Sequence, residues 1–169
     1  MVERAGAAEL GAVTIDVDKT LTVEDDTILN SMVTQRSGSR LVYDYESGTI
    51  PASYDYNVAG ATVCFAGTQS NGTFLGGTNG TVEVAAGANI TVPHLRFLNT
   101  ESTSNSVTFD VAGTVNVTGV TTQPWTDRDS YKGVLLGHWH GTGTYNIDAG
   151  GFLNAENTYT QIVYTAERQ

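Results

Sequence analysis

The sequence predicts an all-β chain, and three observations carry that expectation. A strand–corner–strand frame of thirteen residues recurs four times. The composition suits pleated backbone: 25 Thr and 18 Val are stiff at χ1, and 19 Gly without a triplet period supply turns. No long stretch repeats its apolar residues at a 3.6-residue period; only residues 1–10 read as helical, as an N-terminal cap.

The frame is clearest in GTYNIDAGGFLNA (143–155), where Tyr145, Ile147 and Ala149 precede a small corner and Leu153 and Ala155 follow it. The same slots hold Val13, Ile15 and Val17, then Leu21 and Val23, in GAVTIDVDKTLTV (11–23). They hold Val82, Val84 and Ala86, then Ile90 and Val92, in GTVEVAAGANITV (80–92). In NSVTFDVAGTVNV (105–117) they hold Val107, Phe109 and Val111, then Val115 and Val117. Alternate residues of a strand face one side, so each copy reads as two short strands with inward apolar faces. Gly87, Gly113, Gly150 and Gly151 lie at or beside the corner, where positive φ is expected. Asp18 and Lys19 take their place in the first copy.

Like residues in like slots suggest units that bury their faces against one another, which is the logic of a parallel β-helix, a solenoid. The copies start 69, 25 and 38 residues apart. The first two intervals fit a coil of about 23 residues per turn, and the third requires an insertion. Stacked copies would bring Val84, Phe109 and Ile147 into one interior file. A β-sandwich is the alternative, because alternating strands with Gly and Asn turns also build one. Residues 11–169 read as a single domain, with a lateral insert at 121–141 where TTQPWTDRDSYKGVLLGHWHG breaks the alternation. Two YDY triplets in LVYDYESGTIPASYDYNV (41–58) suggest a hairpin or two neighbouring rungs, and YTQIVYTA suggests a last rung.

The repeats GTVEVAAGANITV, VAGTVNVTG and GTYNIDAGGFLNA resemble those of bacterial autotransporter passenger domains and related surface proteins. That resemblance implies a right-handed parallel β-helix and an adhesin or stalk at the bacterial cell surface or secreted from it. The opening MVERAGAAEL has no apolar signal-peptide core, so the signal segment of such a protein would lie outside this stretch.

Charge narrows the partners. Eighteen acidic residues against eight basic ones give a net charge of −10, which argues against nucleic acid and anionic membranes. No run approaches 18 apolar residues, so no membrane span is expected. The single cysteine, Cys64, sits in the apolar run ATVCFAG and reads as a buried small residue.

Candidate chemistry gathers in the insert. His138 and His140 would share a strand face with Trp139 opposite, and two imidazoles can begin a metal site. A third ligand from Asp127, Asp129 or His94 would require the chain to fold back, so neither metal nor cofactor is expected. Trp125 and Trp139, with Tyr131 nearby, could form a platform for sugar stacking, bordered by His138 and His140. Asp127 and Asp129 flank Arg128 and could serve as a glycosidase pair or as calcium ligands. The plain alternative is aromatic packing over the coil. No nucleophile elbow, P-loop, dinucleotide fingerprint or HExxH occurs. The expected function is a non-catalytic structural or adhesive module that binds a glycan weakly. The alternative is a polysaccharide-active enzyme fragment, a glycoside hydrolase or lyase. A glycan, a host surface protein, or a second copy at the open ends of the coil are the expected partners.

Overall fold

The computed structural model describes residues 8–25, 27–29, 33–49, 54–56, 58–70, 74–98, 102–119, 133–138, 141–155 and 159–164. These form strands in successive passages. The first is β1 (Ala8–Leu10), β2 (Val13–Ile15) and β3 (Thr20–Glu24). The next holds β4 (Thr27–Leu29), β5 (Val33–Gln35) and β6 (Arg40–Thr49), followed by β7 (Tyr54–Tyr56), β8 (Thr62–Ser70) and β9 (Phe74–Gly77). Then come β10 (Gly80–Val84), β11 (Asn89–Val92), β12 (His94–Phe97), β13 (Ser106–Val111) and β14 (Thr114–Val117). The last are β15 (Gly133–His138), β16 (Thr142–Ile147), β17 (Phe152–Asn154) and β18 (Tyr159–Tyr164). Ala8–Leu10 is therefore extended, inside the stretch expected to be helical.

Every pairing among the described residues is parallel. The main sheet follows the order β16-β13-β10-β8-β11-β14-β17, with β6 joined to β8 and β3 to β6. This seven-strand path turns 277° around its axis, a near-closed barrel. A second sheet runs β18-β15-β12-β9-β7. The pivot of the main sheet is β8. β6 pairs with it along its length, while β10 pairs with its first half and β11 with its last three residues. Between them lies Gly67 at φ 74°, where a Cβ would stand 2.0 Å from the carbonyl oxygen of Tyr45. Only glycine allows both that conformation and that approach.

The fold expectation is corrected on this point. The chain is neither an open right-handed β-helix solenoid nor a simple β-sandwich, and the resemblance to autotransporter passengers falls with the solenoid. The physical reason is local. A frame of strand, corner and strand with like residues in like slots is shared by any in-register parallel stack. The strand that joins the two arms of the sheet is β8, which pairs with both β10 and β11 and carries no complete frame. The two YDY triplets do not form a hairpin either: β6 lies in the main sheet, while β7 pairs parallel with β9.

The corners explain why the frame recurs. Five share one geometry: Asp16–Lys19, Arg36–Ser39, Val58–Ala61, Ala85–Ala88 and Asp148–Gly151. In each, the fourth residue donates its N–H to the carbonyl of the first, at 2.9–3.1 Å. The third residue has positive φ: Asp18 58°, Gly38 82°, Gly60 74°, Gly87 81° and Gly150 90°. That position demands glycine, or the Asp and Asn that tolerate it. Gly113 differs, for it lies in a corner of two residues, Ala112 and Gly113, between β13 and β14. There a Cβ would meet the carbonyls of Ala85 and Ala88 at 2.4 and 2.6 Å.

That short corner shifts the register. Before it, β13 is slipped by two residues against the frame, so Val82 faces Phe109 and Val84 faces Val111. Phe109 then faces Tyr145, and Val111 faces Ile147. Val84, Phe109 and Ile147 therefore do not share one file. After the corner the frame is obeyed: Ile90, Val115 and Leu153 are in register. The core is filled by these inner files and by aromatic contacts. Phe97 stacks on Phe109 at 4.6 Å and Tyr43 on Phe65 at 5.7 Å between ring centroids. Each such fully buried side chain stabilises the fold by about 1.5–3 kcal/mol relative to exposure.

Candidate functional site

Strand alternation that buries one file aims the next outward, and register then stacks outward residues of successive strands. One outward file is Thr20, Arg40, Thr62, Thr81, Thr108 and Thr144. Two residues further along lies a second, Thr22, Val42, Cys64, Glu83, Asp110 and Asn146. The second file carries Cys64, Glu83 and Asp110, and Arg40 reaches across to it from the first. Arg40 Nη2 donates to Glu83 Oε2 at 2.6 Å, and both side chains are about one-third exposed. This hydrogen bond and charge hold the Arg40 guanidinium above its ordinary value, against the opposing effect of burial. Asn146 Nδ2 donates to Asp110 Oδ1 at 2.7 Å. Glu83 and Asp110 occupy adjoining positions of one file, yet each is engaged by a different neighbour.

Cys64 is buried, as its apolar run suggested. Burial pushes its thiol up, while the nearby Arg40 opposes the shift. A thiol held protonated is a poor nucleophile and a poor metal ligand. Among the described residues no group of three His, Cys, Asp or Glu side chains gathers as a metal site would require.

The other arm carries an amide ladder. Asn116 Nδ2 donates to Asn89 Oδ1 at 2.8 Å, and Asn154 Nδ2 donates to Asn116 Oδ1 at 2.9 Å. Asn79 Oδ1 accepts the Ser106 N–H at 3.0 Å, tying the entry of β13 to the strand passage before it. Strand alternation places Asn89 and Asn116 in outward slots of the frame. Asn116 and Asn154 are in register, while Asn116 reaches Asn89 diagonally from its place opposite Thr91, and alternation alone reveals neither contact.

Of the residues singled out in the insert, Trp125, Asp127, Asp129, Tyr131, Trp139 and His140 lie outside the described residues. His138 ends β15, its backbone opposite Tyr164. His94 begins β12 opposite Phe74, in a different strand of the same sheet. The Arg40–Glu83 pair was missed, because its partners are 43 residues apart and no local pattern joins them. No helix among the described residues is long and apolar enough to cross a membrane. No protein-family model, curated protein or solved structure matches this chain.

Proposed function

We propose that this chain is a non-catalytic structural or adhesive module whose rigid parallel scaffold presents a polar outer surface. One observation carries the reading: the outward polar side chains bind one another. Arg40 is engaged by Glu83, Asp110 by Asn146, and Asn89, Asn116 and Asn154 form a ladder. Side chains committed to neighbours along the sheet stiffen the surface. They are poorly placed for proton transfer, which needs a carboxyl converging on a substrate. Any adhesion on such a face is shallow, and glycans or a host surface protein outside the cell are the partner class this reading entails.

The test pairs a glycan array with a turnover assay on neutral and acidic polysaccharides, using the full chain. Weak glycan binding or none, with no new reducing ends or unsaturated products, is the expected outcome. Turnover that disappears in Asp127→Asn or Asp129→Asn would establish the rival reading of a polysaccharide-active enzyme.

A further inference from the structure

Among the described residues, the three exposed large apolar side chains all lie on the first and last passages of the main stack. Val17 is 54 % exposed in the corner between β2 and β3; Ile147 is 56 % and Phe152 59 % exposed, on either side of the corner between β16 and β17. These passages also carry open edges. Among the described residues β2 pairs only with β5 and β3 only with β6, while β16 pairs only with β13 and β17 only with β14. An open strand edge is a template for another strand.

The corners of the two open passages match in length and in turn geometry. β2 and β3 are separated by the four-residue corner Asp16–Lys19, and β16 and β17 by the four-residue corner Asp148–Gly151, each closed by the same turn bond. Corners of this length already stack within the chain: Asp18 donates its N–H to the Gly38 carbonyl at 3.3 Å, and Gly38 to the Gly60 carbonyl at 2.8 Å. A two-fold dimer would set each edge against itself with its strands antiparallel. The matched corners instead fit parallel, head-to-tail addition.

We infer that a second copy of this chain docks its β2–β3 passage on the β16–β17 edge of the first. Ile15 then faces Ile147, Leu21 faces Leu153, and the exposed corner and edge residues are covered. The contact is heterologous, so it propagates into a filament rather than closing. In this register Asp16 faces Asp148, and Asp16 is already bridged to Arg36 at 3.2 Å. With a net charge of −10 on each copy, association tightens severalfold as NaCl rises from about 0.05 to about 0.5 M. This proposal rests on the structural reading above by naming the partner of that module.

Sedimentation velocity on the full chain, from about 1 µM to about 1 mM, tests it. Wild type forms species beyond the dimer that grow with concentration and salt. Ile147→Lys and Val17→Lys are each monomeric, yet an equal mixture forms a dimer that stops there, because each supplies the intact edge the other lacks. Circular dichroism checks folding; if a Lys variant loses its β signal, Ile147→Ser and Val17→Ser carry the same experiment. A monomeric wild type, dimers of Val17→Lys alone, or a mixture that stays monomeric overturns the proposal. Polysaccharide turnover would overturn the structural reading instead, and sedimentation would still decide the stacking.

Discussion

The middle and last passages of the main sheet share one pattern and meet different fates. Val84 and Val111 are 1 % exposed, whereas Ile147, in register with Val111, is 56 % exposed. Ile90 and Val115 are fully buried, while Leu153, opposite Val115, is only half-buried. The side chains are equivalent in character. What differs is the strand beyond: β13 lies between β10 and β16, and nothing described lies beyond β16. Burial in a parallel stack is therefore a property of the neighbour, and an apolar slot in the frame is only an opportunity for it.

The sharpest way to break the comparison is to charge its middle. Phe109 is 2 % exposed, stacks on Phe97, and lies between Val82 and Tyr145 in register. Phe109→Asp removes the aromatic packing and places an unpaired carboxylate among apolar neighbours. The expected loss is more than about 4 kcal/mol, enough to unfold a marginally stable domain. Loss of the cooperative thermal transition in circular dichroism would show it.

A like-for-like substitution in the two regions has a smaller effect and measures the contrast directly. Ile90→Ala in the middle is expected to cost about 2–5 kcal/mol, since a buried isoleucine leaves a cavity. Ile147→Ala on the last passage removes mostly solvated surface and should cost less than about 1 kcal/mol. Urea denaturation of both variants at a concentration where the chain is monomeric gives the difference. Equal losses would mean that the last passage is covered in the folded monomer.

How much of this was legible in the sequence depended on distance along the chain. Alternation correctly marked the strands around Val82, Val107, Val115 and Tyr145, and the apolar run ATVCFAG marked Cys64 as buried, because those signals span a few residues. Three of the five equivalent corners were recognised. Arg36–Ser39 and Val58–Ala61 were missed, although RSGS and VAGA carry glycine in the same third position as AAGA. The residues just before those corners are Gln35 and Asn57, where the frame expected apolar ones. The register slip at Val82 and Phe109 came from counting both corners as equal, when Ala112–Gly113 is two residues shorter than Ala85–Ala88. The turn of the sheet about its axis was hidden for a deeper reason. The two arms of the sheet join at β8, where Gly67 approaches Tyr45 closely, a contact made by register and marked by no motif. The outer pairs Arg40–Glu83 and Asn146–Asp110 were hidden for the same reason.

Titration gives the finest probe of the boundary between the two regions. Tyr145 sits on the last passage but turns inward: its ring meets Phe97 at 6.1 Å, edge-on, and folds back over Gly143. Burial pushes its phenol up to about 12, with the Gly137 backbone acting in the opposite direction. An acid whose folded value is raised stays neutral in the folded state at pH values where the unfolded chain already ionises. Its contribution to stability is therefore complete below about pH 10, the ordinary tyrosine value, and is lost as pH rises from there through about 12. Tyr145 as a whole residue is only partly buried, so the effect is the smallest of the three. Tyr145→Phe should leave stability near neutral pH little changed and flatten part of the decline between pH 10 and 12, measured as the difference in urea midpoint between variant and wild type. An identical decline in both would place the Tyr145 phenol in water, and with it the boundary of the core one strand earlier, at β13.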